Sequence, residues 1–134
     1  MIFIDTGAFV ARYIERDQYH KQAVDYWNQI IRKRLPCCTS NFVLDETFTL
    51  LGRMAGNHFA ANRARNIYAS DSLPILRPDT SVEIKALKFF TKYADKEISF
   101  TDCVSFVLMK KERIKKVFSF DAHFSQAGFT VVPS

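Results

Sequence analysis

Four carboxylates stand where a folding chain would ordinarily avoid them. Asp5 follows the apolar run Ile2-Phe3-Ile4, and Asp121 follows Val117-Phe118-Ser119-Phe120. Asp102 comes just after Ile98-Ser99-Phe100, and Glu46 has Phe42, Val43, Thr49 and Leu50 three and four residues away. Asp5 and Asp121 close runs that read as strands. Asp102 opens a helix for which Thr101 is the expected N-cap. Glu46 falls within or beside an apolar helical stripe, where an unpaired charge is costly. Asp45, about 100° round the same helix, belongs to solvent or the cleft rim. Carboxylates that converge repel one another unless a cation is present. Hard oxygen ligands without a His or Cys shell suit Mg²⁺ or Mn²⁺, not zinc. Such a site suits phosphodiester hydrolysis, because a metal lowers the pKa of bound water and a second ion about 3.5–4 Å away can steady the leaving oxygen.

Each acid also has a structural reading of its own. Asp5 could be a turn residue, and Asp102 could favour the positive end of a helix dipole. Asp121 could cap the segment Ala122–Ala127. Glu46 could pair with Arg53 or Arg65. The convergence argument rests on the four together. No protein nucleophile competes for the role: nothing resembles GxSxG or a Ser/His/Asp set.

Apolar periodicity supplies the elements that must position these acids. Strands are expected at 2–4, 37–40, 73–76, 117–120 and 129–132, and a short helix through Phe9, Val10 and Tyr13. Longer helices are expected over 17–34, 41–54, 58–70, 81–94 and 102–114, with a short one over 122–128. Ser40 or Asn41 would cap the helix at 41, which stops near Gly56. Strands alternating with helices imply an α/β chain with a mostly parallel sheet covered on both faces. Ligands of such sheets bind beyond the carboxyl ends of the strands, which is where Asp5 and Asp121 fall.

The remaining composition narrows the class. At 134 residues, 48% hydrophobic and 14% aromatic, with 13 Phe, the chain fits one globular domain, 1–134, with a phenylalanine-rich core. No secretory signal is visible and no apolar run approaches the roughly 18 residues of a membrane span. Cys37, Cys38 and Cys103 are odd in number and lack CxxC spacing. They suit a reducing cytoplasm, and their simplest role is as small buried hydrophobes.

Lys and Arg number 19 against 14 Asp and Glu, a formal charge of +5. The excess gathers at Arg32-Lys33-Arg34 and at 110–116, where Lys110, Lys111, Arg113, Lys115 and Lys116 are candidate nucleic-acid contacts. Solvated helix ends explain either cluster, and a polyanionic partner explains both. His123 could face a polyanionic partner, although a surface or packed histidine is the commoner case. His20 and His58 read as exposed helix residues, and Trp27 as core or dimer surface.

The segments 3–11, 39–51, 98–111 and 117–129 together resemble the PIN-domain ribonucleases, and within them the VapC-like toxins of toxin–antitoxin pairs. The resemblance implies an α/β/α fold of three layers with about four to five strands. It identifies Asp5, Glu46, Asp102 and Asp121 as the metal-binding and catalytic acids, with Thr6 and Thr101 as supporting hydroxyls. It further implies Mg²⁺- or Mn²⁺-dependent endoribonuclease activity, a frequent homodimer, and inhibition by a cognate antitoxin. Two other classes bear weighing. An aspartyl phosphotransferase of the haloacid-dehalogenase type would want a second Asp at position 7, which is Gly. A binding module without catalysis, or an RNA-processing nuclease outside a toxin system, keeps the same fold.

Overall fold

A computed structural model describes residues 1–134. The order is β1 (Ile2–Ile4), α1 (Thr6–Tyr13), α2 (His20–Lys33), β2 (Cys37–Ser40), α3 (Asn41–Ala55), α4 (Asn57–Ala69) and β3 (Ile75–Leu76). Then come α5 (Thr80–Lys92), α6 (Phe100–Lys111), β4 (Lys116–Phe118), α7 (His123–Gln126) and β5 (Thr130–Val132). The five strands form a parallel sheet in the order β3-β2-β1-β4-β5. Side chains alternate between faces along a strand. Every residue of β1 and β2 is nevertheless buried. Helices therefore cover both faces, and the expected three-layer α/β/α arrangement is what the chain adopts.

The strand order sets the site. From β1 the chain steps outward through β2 to β3, then returns to the other side of β1 for β4 and β5. The order in which strands are added therefore reverses between β1 and β4, and in doubly wound sheets the binding crevice opens there, beyond the carboxyl ends. The core holding this frame is rich in Phe, as expected: Phe3, Phe9, Phe106, Phe118 and Phe124 are completely buried. Phe106 anchors one side, edge-on to Phe89, Tyr93 and Phe124. Trp27 tilts against Phe9 and Phe118. All three cysteines are free and buried.

Most element boundaries fall within two or three residues of expectation, and the departures have local causes. The helix expected from residue 17 starts at His20, because the Asp17 carboxylate accepts from the Tyr19 amide at 2.8 Å and holds a turn. His20 is not an exposed helix residue: its Nδ1 lies 2.7 Å from the Ala11 carbonyl, tying α2 to α1. Ser40 caps α3 through the Val43 amide at 3.1 Å, and Gly56 (φ +92°) turns the chain into α4. Thr101 is not the cap of α6. Ser99 is, accepting from the Asp102 amide at 3.1 Å, so α6 starts at Phe100 and ends at Lys111, short of residue 114. β4 stops at Phe118, so Asp121 lies beyond the strand rather than directly at its end.

Candidate active site

Because β1 ends at Ile4, Asp5 is the first residue past the sheet and also precedes α1. Its backbone stays extended (φ −90°, ψ 163°) and its amide donates to the Phe118 carbonyl at 3.0 Å, which carries the pairing with β4 one step further. The side chain is 4% exposed. Its Oδ2 accepts from Ser119 Oγ at 2.9 Å, while Oδ1 is buried without a partner. Ser119 is spent twice, since the same oxygen accepts from the Asp121 amide at 3.0 Å. One hydroxyl thus links the acid after β1 to the acid after β4.

Asp102 reaches this point from α6. The Ser99 cap fixes the first turn, and the arrangement Ser99-Phe100-Thr101-Asp102 is a capping sequence in which the Ser99 amide and hydroxyl both favour the charged carboxylate. Glu46 arrives from α3, nearly two turns beyond the Ser40 cap. It is half-buried, while Asp45 beside it is exposed. Asp5, Glu46, Asp102 and Asp121 all line one cavity of about 500 Å³, together with Thr6, Asp17, Tyr19, Glu97, Ser99 and Phe120. No Lys, Arg or His lines it. Two other cavities, of about 560 and 760 Å³, are larger and contain no comparable acidic set. Glu46 makes no ion pair with Arg53 or Arg65; the only ion pairs in the chain belong to His123.

The electrostatics follow from that crowding. Burial, then repulsion from Asp102, raises Asp5 from 3.8 to about 8 against the lowering bonds from Ser119 and Thr6. Burial, then Asp121 and Glu46, raises Asp102 to about 7. Asp102 and Glu46 repel Asp5, and Asp121 and Glu46 repel Asp102, so the two buried carboxyls sit among like charges. An orphaned buried oxygen, two raised carboxyls and a donor set made mostly of carboxylate oxygens, with the His123 imidazole beside Asp102 and Asp121, fit a divalent cation of the Mg²⁺ or Mn²⁺ kind.

Sequence reasoning overlooked or understated several residues. Ser119 carries no motif of its own; its role exists only because β4 lies beside β1. His123 stands at the acids: Nδ1 is 3.0 Å from Asp121 Oδ1 and 3.8 Å from Asp102 Oδ2, and one ligand atom from each of the three lies within 4.8 Å of the others. Asp121 Oδ1 also accepts from the His123 amide at 2.9 Å, a local turn in place of the anticipated helix cap. Tyr19 and Phe120 stack at 4.6 Å between ring centres with planes 1° apart, on the cavity wall. Of the supporting hydroxyls, Thr6 Oγ1 donates to the Val43 carbonyl at 3.5 Å, and Thr101 offers its carbonyl to Ser105 Oγ at 3.0 Å. Among the basic candidates, Lys110 and Lys111 end α6, whereas Lys115 and Lys116 stand at the amino end of β4, the sheet edge opposite the acids. Arg113 is exposed in a left-handed turn (φ 57°).

Comparison with known proteins places this site in context. A PIN-domain family model matches residues 2–130. The 23S rRNA-specific endonuclease VapC20 of Mycobacterium tuberculosis is 36% identical over 132 residues, covering 98% of both chains. A VapC ribonuclease of Archaeoglobus fulgidus is 30% identical, covering 91% of this chain and 78% of that one. The crystal structure of Mycobacterium tuberculosis VapC20, described as a Sarcin-Ricin loop cleaving toxin, superposes with a TM-score of 0.86 at 31% identity over 97% of each chain. DNA-bound VapBC from Salmonella typhimurium shares the fold at 13% identity, with a TM-score of 0.67 over 98% of this chain and 97% of that one.

Proposed function

The chain belongs to the PIN-domain family, and on that premise we propose that it is a divalent-metal-dependent endoribonuclease, the toxin of a toxin–antitoxin pair. The observation that carries the metal requirement is the crowding of four carboxyls in one cleft, where His123 is the one basic side chain within ion-pairing distance. Four acids share one cavity with no basic lining residue, and Asp5 Oδ1 is left without a partner.

Asp5, Glu46 and Asp102 would hold a Mg²⁺ or Mn²⁺ ion, and Asp121 would hold a second ion or steady the first through water. When bound, such an ion would lower the pKa of a water enough for it to lose a proton near neutral pH and become the nucleophile for phosphorus. The chain's own residues do the rest. Ser119 orients Asp5, and the Ser99 cap orients Asp102. Thr6 fixes α1 against α3, and Thr101 holds the first turn of α6 through Ser105. Tyr19 and Phe120 offer a flat aromatic wall to a base beside the scissile phosphate.

The same reading extends to partners. A cognate antitoxin inhibits the enzyme in the cytoplasm; no helix is long and apolar enough to cross a membrane. Ile84, Leu87 and Phe90, spaced three apart on α5, are 56%, 47% and 46% exposed. An apolar stripe of this kind suits burial against a second copy of the chain, so the working unit is a homodimer. The test is metal-titrated cleavage of RNA, with 23S rRNA tried first because VapC20 acts on it. Cleavage that requires Mg²⁺ or Mn²⁺ is expected. Full activity in chelator would sink the metal reading, and no cleavage of any RNA class with either metal would sink the nuclease reading. Sedimentation of the wild type and Leu87→Glu should separate dimer from monomer.

A further inference from the structure

The basic residues are not spread evenly. Lys85, Lys88 and Lys92 recur at spacings of three and four along α5, so they share one face. Lys110 and Lys111 end α6. The two helices pack side by side and run in opposite directions. The Val82 amide bond, and after it the nearby Lys111 charge, hold the Asp79 carboxyl at the start of α5 low, while Phe89 meets Phe106 and Phe90 meets Phe100. Between them lies a groove of about 760 Å³ lined by all five lysines, with Asp79 as its sole acid. The Asp79 carboxylate is already engaged, accepting from the Val82 amide at 3.0 Å to cap α5. None of the five ammonium groups has a carboxylate within ion-pairing distance; Lys110 instead rests 4.9 Å from the Phe89 ring centre.

We propose that this α5–α6 lysine groove is a second RNA site, which grips backbone phosphates away from the bond that is cut. The inference rests on the nuclease reading and adds a substrate class, an RNA large or folded enough to occupy cleft and groove together. At 1.5 Å per residue, Lys110 lies about 12 Å along α6 from Asp102, too far to reach the scissile phosphate. The lysine row on α5 covers about 10 Å, and its Lys92 end leads back toward Phe100 and so toward the acid cleft. Five positive charges against one committed acid suit a phosphate polymer, with Val82, Phe89 and Val107 forming the floor beneath the lysines. Lys115 and Lys116 do not line this groove, so the basic cluster 110–116 divides in space.

Equilibrium binding of a labelled hairpin of 23S rRNA, in chelator so that nothing is cut, tests the groove without relying on activity. Wild type is compared with Lys85→Gln/Lys88→Gln/Lys92→Gln across about 50 to 200 mM salt. A charge-matched control carries Lys21→Gln/Arg53→Gln/Arg65→Gln, three exposed positions outside the groove. Groove substitution should weaken binding about 10- to 100-fold and reduce the salt slope by roughly two to three, while the control changes little. Equal losses in both variants, or an unchanged slope in the groove variant, would overturn the groove assignment and leave the nuclease reading standing. A groove variant that loses affinity for polyglutamate but not for RNA would also overturn it, in favour of an acidic protein partner. Wild type that neither binds the hairpin nor cuts RNA with metal would overturn both readings.

Discussion

Replacing Asp5 by Asn should stabilise the metal-free protein while abolishing cleavage. Asp5 is buried, and its carboxyl is pushed from 3.8 to about 8, first by desolvation and then by Asp102. A group whose pKa rises on folding contributes fully below its unfolded value and loses that contribution as pH climbs through the folded one. Metal-free wild type therefore weakens between about pH 4 and pH 8. Each unit is 1.36 kcal/mol, so a span of about four units sets a ceiling near 5 kcal/mol. Part of that is repulsion from Asp102, which keeps its own desolvation penalty, and water in the open cleft screens the rest. A gain of about 2–4 kcal/mol at pH 8 is expected for Asn, which keeps the shape and an acceptor for Ser119. For a chain of this length that raises Tm by about 6–15 °C.

Thermal melts at pH 5 and pH 8, each with chelator and with Mg²⁺, read this directly. The Asn advantage should shrink toward pH 5, where the native carboxyl is already protonated. Mg²⁺ should raise the wild-type Tm most at pH 8 and move the variant far less, because binding that favours only the native state adds to its stability. If Asp5→Asn melts at or below wild type at pH 8 in chelator, the charge-crowding argument fails. If it cuts RNA normally with Mg²⁺, the ligand assignment fails.

Four further substitutions separate the supporting parts. Ser119→Ala removes the 2.9 Å bond to Asp5 and the acceptor for the Asp121 amide; metal affinity should fall about 10–100-fold, with activity recovering at excess Mg²⁺. Ser99→Ala should cost about 1 kcal/mol in denaturant titration and lower activity by loosening Asp102, whereas Thr101→Ala should spare the cap. Phe106→Ala, at the fully buried centre of the aromatic cluster, should cost about 3–5 kcal/mol by the same titration.

Local chemistry determined much of this protein in advance. The apolar runs at 2–4 and 37–40 and the helical periodicities are properties of short segments, so the order of elements and the α/β class were legible. So was the oddity of four acids at apolar boundaries, because the cost of a misplaced carboxylate is visible in its immediate neighbours. The α6 cap was legible too, in Ser99-Phe100-Thr101-Asp102, but Thr101 drew attention as the hydroxyl adjacent to the acid. A cap must accept from an amide two or three residues on, and Ser99 has that reach.

What only the tertiary structure decided is adjacency across the sheet. Hydrophobic patterning makes β1 and β4 both buried strands, yet nothing local says they are neighbours. That pairing, in the order β3-β2-β1-β4-β5, brings Ser119 to Asp5 across 114 positions of sequence. It also makes His123 a companion of Asp102 instead of a surface residue. The lysines divide for the same reason. Lys110 and Lys116 are six residues apart, but a helix end and a turn intervene, so one joins a groove built with α5 and the other starts a strand at the opposite edge. Charge and residue type are written along the chain; which charges share a surface is set by how sheet and helices pack.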